Sequence, residues 1–234
     1  LSKRIGTARL HRPCQSLADM RALLLGLAKT NALNILALHG GGGDAASMEG
    51  QLAGIRAAMG SGHTFVYASG PSSYGGLWIR DPPGGKENPT TDPNWASASF
   101  AALDALVSSH GPFDGIMGYS QGAAMTILYL SQRASSFSFA VTYCGYAPTT
   151  HTGLMGLINA ATPMSIPHAF YYGTADYLIV NSMTTAAAAH FSTTTMISDG
   201  GGHDVPQSGS AVTSITNFVL GFNAPSHTHT PHSH

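Results

Sequence analysis

The amino-acid sequence predicts an α/β fold with a mostly parallel central sheet and helices on both of its faces. Short apolar runs typical of buried strands alternate along the chain with segments whose apolar residues recur at helical spacing. Strands that are separated by helices normally pair in parallel. The predicted strands cover residues 33–38, 64–68, 113–117, 137–144, 168–172 and 193–198. Ligands bind such sheets beyond the carboxyl ends of the strands, so a functional site is expected in the loops at that edge.

Five helices are predicted between and after these strands. The first begins at Asp44, a favourable N-cap, and stops at Gly60. The second begins at Asp92 with Pro93 in its first turn. The third covers residues 121–132, the fourth is alanine-rich and ends at His190, and the fifth closes the domain. The apolar stripes are Met48, Leu52, Ile55 and Met59 in the first, Phe100, Leu103 and Val107 in the second, and Val212, Ile215 and Val219 in the fifth.

Composition divides the chain into a basic N-terminal extension (1–32), an α/β domain (33–223) and a histidine-rich flexible tail (224–234). The extension is typical either of an organellar transit-peptide remnant or of a basic arm packed on the domain or free in solvent, and the second interpretation is favoured. The tail could chelate a divalent metal, but its composition favours a flexible end. The charged residues of the extension are Lys3, Arg4, Arg9, Arg12, Asp19, Arg21 and Lys29, and the tail histidines are His227, His229, His232 and His234.

Charge, cysteine content and apolar runs exclude several classes of protein. The formal net charge is -1, which does not suggest a nucleic-acid-binding protein. Two cysteines, Cys14 and Cys144, do not make a disulfide framework, and Cys144 is expected to be a small buried apolar residue. No apolar stretch approaches the roughly 20 residues that span a bilayer. A cytoplasmic location is therefore expected, with an organelle as the alternative that the basic extension raises.

The strongest chemical signal is a G-x-S-x-G run at residues 118–122, with Ser120 at its centre. It lies between a predicted strand and a predicted helix, which is the context of a nucleophile elbow. A serine on such a sharp turn needs small neighbours, because the backbone segments around it come close together. Its hydroxyl is presented at the amino end of the helix, where the helix dipole favours developing negative charge. Ser120 is therefore the predicted nucleophile.

A serine nucleophile needs a base and an acid that orients the base, and in this fold they follow it in the order acid, then histidine. Asp176 comes just after the strand 168–172, at the edge where the acid belongs, whereas Asp199 and Asp204 flank the candidate histidine too closely. His203 follows the last strand in a loop with three glycines. Among the rival histidines, His168 and His190 have simpler structural explanations, whereas His151, which lies in a loop, is the strongest alternative.

An oxyanion hole made of two backbone N–H groups is expected next to Ser120. Gln121 directly follows the serine, and Gly41 lies in the glycine run after the first strand. A glycine run after a strand also occurs in dinucleotide-binding proteins. The second strand, however, ends without an acid that could bind a ribose, and no Lys-Ser/Thr pair of a P-loop is present. The same edge of the sheet carries the loop 70–94. Its aromatic residues Tyr74 and Trp78, and Trp95 directly after it, are candidates to line an acyl pocket.

These segments resemble the family serine hydrolases (the FSH group) of the α/β-hydrolase superfamily and, more distantly, dienelactone hydrolases and acyl-protein thioesterases. The resemblance covers most of residues 33–222 and is carried by LNILALHGGGG, GPFDGIMGYSQGAAM, YYGTADYLIV and GGGHDVP. It implies an α/β-hydrolase fold in which Ser120 is the nucleophile, Asp176 the orienting acid and His203 the base. The chain departs from the family pattern at Gly41, where a bulky residue is usual, and in its basic extension.

The resemblance implies an esterase or thioesterase that acts on short to medium acyl chains, in some members on polyketides bound to carrier proteins. The expected partner is therefore a small-molecule acyl ester or thioester, or an acyl carrier, and the chemistry requires neither a cofactor nor a metal. The alternative is a non-catalytic ligand-binding protein on the same scaffold. Such proteins usually lose one residue of the triad, whereas this sequence has all three.

Overall fold

The computed structural model describes residues 32–223, so the predicted basic extension and histidine-rich tail lie outside the described residues. The predicted parallel sheet is confirmed: six strands lie in the order β2-β1-β3-β4-β5-β6, and every neighbouring pair is parallel. The strands are β1 (Asn34–Leu38), β2 (Thr64–Ala68), β3 (Gly115–Tyr119), β4 (Phe139–Tyr143), β5 (His168–Gly173) and β6 (Thr194–Asp199). The helices are α1 (Ala45–Gln51), α2 (Ala53–Met59), α3 (Ser97–His110), α4 (Gln121–Arg133), α5 (Thr152–Ala161), α6 (Asn181–Ala188) and α7 (Gly209–Leu220).

The central strands are apolar on both faces because helices cover the sheet on both sides. In β1, Ile35 and Ala37 belong to one core cluster, whereas Leu36 and Leu38 belong to the other. The first cluster includes residues of α1, α2 and α7, and the second includes residues of α3, α4 and α5. Among residues 32–223, no helix has both the length and the apolar character needed to cross a membrane.

The first predicted helix is divided into α1 and α2 at Leu52. Its predicted start is confirmed, since the Asp44 side chain accepts a hydrogen bond from the Ser47 amide. At the break, the side-chain nitrogen of Gln207 donates to the backbone carbonyl of Gln51. The side-chain oxygen of Gln207 accepts from the backbone N–H of Gly54. The Gln207 side chain thus binds backbone groups beside the interruption, which is a known cause of helix breaks. This long-range contact could not be predicted from local spacing.

The predicted start of the second helix at Asp92 is wrong. The helix α3 begins at Ser97, and the Asp92 carboxylate instead accepts a hydrogen bond from the amide of Asn94. Aspartate commonly stabilises a turn in this way, so the Asp-Pro signal marks a turn that precedes the helix. The helix α5 was not predicted, and β3 begins and ends two residues later than expected.

Candidate active site

Ser120 occupies the sharp turn between β3 and α4. Its φ of 52° lies in the left-handed region, which is uncommon for a residue with a side chain. The flanking glycines are required by packing. A Cβ at Gly118 would overlap Thr126 and the carbonyl of Gly122, and one at Gly122 would overlap the carbonyls of Leu38 and His39. The strand–turn–helix context predicted for the G-x-S-x-G run is therefore present.

The side chains of Ser120, His203 and Asp176 form one hydrogen-bonded line. The Ser120 Oγ lies 2.9 Å from His203 Nε2, and His203 Nδ1 lies 2.7 Å from Asp176 Oδ2. The imidazole is largely buried, and the carboxylate is fully buried. With its proton on Nδ1, the imidazole donates to the carboxylate and leaves Nε2 free to accept the serine proton. The structure thus brings together the three residues that were predicted from the sequence.

The loops that carry Asp176 and His203 are joined by backbone contacts. The amide of Ala175 donates to the carbonyl of Gly201 at 2.9 Å. A Cβ at Gly173 would overlap the carbonyls of Gly201 and Gly202, so only glycine permits this approach. Direct contact between the loop after β5 and the loop after β6 therefore positions Asp176 and His203.

The hydrogen bonds around Asp176 keep its carboxyl group ionised. Burial raises its pKa, but hydrogen bonds from His203 and from the amides of Ile179 and Leu178 outweigh that effect. The pKa of Asp176 is therefore lower than its ordinary value of 3.8. An ionised carboxylate at this position can hold the imidazole in one tautomer and stabilise it when it becomes protonated.

The rival acids and histidines are bound elsewhere. The Asp199 carboxylate accepts hydrogen bonds from the Tyr171 hydroxyl and the Gly201 amide, both at 2.7 Å, and Asp204 is exposed. His168 lies in the core, stacked on Phe170 with its Nε2 near the Thr142 hydroxyl. The two remaining histidines also have other partners. The ring of His151 binds the backbone carbonyl of Arg80, and the ring of His190 binds the hydroxyl of Thr162.

Gly41 and Gln121 lie side by side at the mouth of the site. A Cβ on Gly41 would be 3.7 Å from the Cβ of Gln121, and both residues line the cavity that contains Ser120 and His203. Within residues 32–223, no protein acceptor binds the backbone N–H of either residue, although the side-chain amide of Gln121 donates to the carbonyl of Ile79. Two free N–H groups beside the serine suit the stabilisation of a negatively charged oxygen.

The cavity at Ser120 has a volume of about 460 Å³, within the range of small-molecule sites. Its apolar wall consists of Leu77, Tyr146, Leu178 and Ile179, and Asp81 and Lys86 also line it. The loop 70–94 therefore contributes to the cavity, as expected, but through residues other than its predicted aromatic ones.

Tyr74, Trp78 and Trp95 are not among the residues that line this cavity, so that expectation differs from the structure. Trp78 is fully buried, and its indole donates to the carbonyl of His39 at 2.9 Å. The rings of Tyr74 and Trp95 lie 4.3 and 4.6 Å from the guanidinium of Arg80. These side chains hold the loop together, since an aromatic ring gains more from core and cation–π contacts than from an open cavity.

Three further contacts at the site were not predicted. The Tyr119 hydroxyl donates to the His203 carbonyl, and the Gln121 side chain binds the backbone of Trp78 and Ile79. Cys144, directly after β4, has a φ of 49°, and its thiol lies near the carbonyls of Gly202 and Asp204. Tyr119 and Gln121 are the variable positions of the G-x-S-x-G run, so their proximity to Ser120 was the available signal. No comparable signal marks Cys144.

The thiol of Cys144 also lies within 4.8 Å of ligand atoms of Asp176 and His203, a grouping that could hold a metal ion. The donors are, however, already bound to one another or to backbone. His203 and Asp176 share a hydrogen bond of 2.7 Å, and burial raises the pKa of the Cys144 thiol to about 12. Metal binding would require deprotonation of that thiol and loss of the histidine–carboxylate bond. The donor set therefore fits a hydrogen-bonded cluster better than a metal centre.

The parallel sheet and the serine at the β3–α4 turn define the chain as an α/β-hydrolase. Residues 29–215 match the family model described as "Serine hydrolase (FSH1)", and the chain belongs to this family.

Several known proteins with similar sequences are esterases. The chain is 26% identical to Esterase GA18864 of Drosophila pseudoobscura pseudoobscura, over 81% of its own length and 71% of that protein. It is 30% identical to Esterase OVCA2 of Xenopus tropicalis, over 56% and 59% of the two chains. Among solved structures, Arabidopsis thaliana SOBER1 matches with a TM-score of 0.62 at 18% identity, over 82% of this chain and 99% of that one, which supports the fold. The chain is thus a serine hydrolase of the carboxylic-ester-hydrolase class.

Proposed function

We propose that the chain hydrolyses its substrate through an acyl-enzyme formed on Ser120, with His203 as the base and Asp176 as the acid that orients it. The observation that carries the proposal is the line of two hydrogen bonds from the Ser120 hydroxyl through the imidazole to the buried carboxylate. A serine hydroxyl is a poor nucleophile at neutral pH, and this arrangement provides a proton acceptor at its oxygen.

In the first step, the Ser120 oxygen attacks the carbonyl carbon of the substrate while its proton passes to His203 Nε2. The amides of Gly41 and Gln121 bind the oxygen that becomes negatively charged, aided by the amino end of α4. The protonated His203 then gives its proton to the leaving oxygen or sulfur, and the bond between this atom and the carbonyl carbon breaks. Asp176 stabilises the imidazolium while the charge is present.

In the second step, water attacks the acyl-enzyme, and His203 accepts a proton from that water. The tetrahedral intermediate collapses, the proton returns to the Ser120 oxygen, and a carboxylic acid is released. A thioester fits the same sequence of steps, because a thiolate is a better leaving group than an alkoxide. The proposed substrates are therefore acyl esters and acyl thioesters, including an acyl group carried by a carrier protein.

The proposal is tested with Ser120→Ala, which removes the nucleophile and keeps a small residue at the turn. We expect turnover of a p-nitrophenyl ester to fall by about 10⁴-fold or more. Labelling by a fluorophosphonate, which reacts with an activated serine, should also disappear. The control is Ser61→Ala at an exposed position, which should keep both properties. Undiminished turnover by folded Ser120→Ala would rule out the mechanism, and absence of labelling in the unsubstituted chain would favour the non-catalytic alternative.

A further inference from the structure

The strand β6 is the last strand of the sheet, and among residues 32–223 no strand pairs with its outer edge. The carbonyls of Thr193 and Asp199 accept hydrogen bonds at 3.0 and 2.8 Å from the backbone of β5 and of the residue after it. Because backbone groups alternate in direction along a strand, the N–H and C=O groups of Thr194, Met196 and Ser198 point to the open edge. Outside the ladder with β5, no backbone hydrogen bond in this part of the chain involves these three residues. The edge therefore presents free donors and acceptors to another strand.

The sequence of β6 does not protect this edge. Natural proteins usually protect an open edge with lysine, proline or a bulge, whereas β6 reads TTMISD and pairs with β5 in unbroken register. The side chain of Met196 belongs to a residue that is 41% exposed. The one charged residue of the strand, Asp199, lies at its end and accepts hydrogen bonds from the Tyr171 hydroxyl and the Gly201 amide. A neutral edge of this kind favours pairing with a further strand.

The surface around β6 also carries little charge. The helix α7 packs on β6 and α6 packs on β5, and neither helix contains Lys, Arg, Asp or Glu. The opposite edge of the sheet is different, because Arg56 on α2 lies over the ring of Tyr67 in β2 and forms an ion pair with Glu49. Charged residues are depleted at the centre of protein–protein interfaces. The edge at β6 is therefore better suited to contact with another chain than the edge at β2.

The strand β6 is complementary to itself. When two copies are placed antiparallel with Met196 opposite Met196, the outward N–H and C=O groups of both strands meet one another. In this register Thr194 of one copy lies opposite Ser198 of the second copy, and Thr195 lies opposite Ile197. Pairs of hydroxyl residues and pairs of apolar or β-branched residues are favourable across strands, and no two charged residues are opposite each other. The partner that the edge fits best is thus a second copy of this chain.

We propose that two copies of the chain pair through β6 in antiparallel orientation, about a two-fold axis at Met196. The two six-stranded sheets then become one continuous sheet. Because the same strand is used on both sides, the contact closes on itself and gives a dimer rather than a filament. Antiparallel pairing turns the carboxyl ends of the two sheets in opposite directions, so that neither active site blocks the other. The pairing does not depend on the reaction proposed for Ser120.

The test places charges on the two-fold axis. Met196→Lys and Met196→Glu each bring like charges opposite each other, whereas a mixture of the two variants brings opposite charges together. We expect the unsubstituted chain to sediment at twice its mass of 24.2 kDa at about 50 µM. Each variant alone should sediment as a monomer under the same conditions, and the equimolar mixture should recover the mass of the dimer.

The matched control is Thr64→Lys, which places the same charge at an exposed position of the other edge strand, β2. This variant should remain a dimer, and thermal unfolding should show that all the variants are folded. If a charged variant does not fold, Met196→Pro replaces it, because proline removes the outward N–H and leaves the ladder with β5 intact. A monomeric unsubstituted chain, a dimer that persists in both charged variants, or an equal loss of the dimer in Thr64→Lys would overturn the proposal.

Hydrogen exchange of the backbone N–H groups of Thr194, Met196 and Ser198, followed by NMR, locates the contact on the strand. These groups should be protected in the dimer and should exchange at least about tenfold faster in Met196→Lys. Rapid exchange of all three in a dimer would overturn the proposal, since the copies would then meet elsewhere. Protection that persists in a monomer would also overturn it, because another segment of the same chain would then cover the edge.

Discussion

The hydroxyl of Tyr119 donates a 2.6 Å hydrogen bond to the backbone carbonyl of His203, and the two rings lie 5.3 Å apart. The residue before the serine thus holds the loop that carries the histidine. Burial is the main reason that the pKa of Tyr119 is well above its ordinary value, so the hydroxyl remains a donor at neutral and alkaline pH.

Tyr119→Phe should lower kcat about tenfold and change KM little, because it removes this hydrogen bond and keeps the ring. A loosely held imidazole spends less time in line with Ser120. The control is Tyr129→Phe on α4, nine residues after Ser120 in the sequence. This variant removes a 2.7 Å hydrogen bond from the Tyr129 hydroxyl to the Asp104 carboxylate. That variant should lose stability but retain kcat. Equal kcat values for Tyr119→Phe and the unsubstituted chain would show that the contact does not position His203.

The thiol of Cys144 contacts the backbone of the loop that carries His203. The carbonyls of Gly202 and Asp204, on either side of His203, lie 3.8 and 3.5 Å from the sulfur. We expect Cys144→Ala to lower kcat by about threefold to tenfold and Cys144→Ser, which keeps a donor, to retain more of it. Cys144→Val should destabilise the fold most, because a β-branched residue is strained at a φ of 49°. Steady-state kinetics and thermal unfolding of the three variants provide the measurement, and equal kcat for Ala and Ser would contradict a role for the donor.

Residue type and order along the chain predicted three side chains that the structure joins by hydrogen bonds. The strand–glycine–serine–glycine–helix order located Ser120, and the order serine, acid, histidine left Asp176 and His203 as the best candidates. Contacts that join distant segments could not be predicted in this way. Nothing near Leu52 indicates that Gln207 will bind the backbone there, and nothing near Trp78 indicates that its indole will reach His39. Aromatic residues in a loop suggest a pocket lining, but burial and cation–π contacts stabilise these rings more than exposure in an open cavity would.

Two adjacent glycines after β1 should respond differently to the same substitution. A Cβ at Gly40 would lie 2.8 Å from the Tyr119 ring and 3.3 Å from the Ser120 Cβ, whereas at Gly41 the nearest atom is 3.7 Å away. Gly40→Ala should therefore displace Tyr119 or Ser120 and lower kcat/KM by about 100-fold or more. Gly41→Ala keeps the amide and meets only ordinary contacts, so its kcat/KM should stay within about threefold. Similar losses in both variants would mean that the side-chain space at Gly41 is needed by the substrate.

The buried His168 should make stability fall as the pH falls. Burial lowers its pKa from 6.5 to about 3, so below pH 6.5 the unfolded chain binds a proton that the folded chain does not. The free energy of unfolding should therefore decrease with falling pH by as much as about 1.4 kcal/mol per pH unit, or about 2 kcal/mol between pH 6.5 and 5.

In His168→Phe, this part of the dependence of the unfolding free energy on pH should disappear, while the new phenyl ring can still stack on Phe170. Urea unfolding of both proteins at several pH values between 5 and 7 measures the difference. The control is His110→Asn at an exposed position at the end of α3, which should keep the slope of the unsubstituted chain. A slope that is identical in His168→Phe and the unsubstituted chain would mean that His168 takes up its proton in the folded state as readily as in the unfolded state. The core around Thr142 and Phe170 would then have to admit a charge, which its burial argues against.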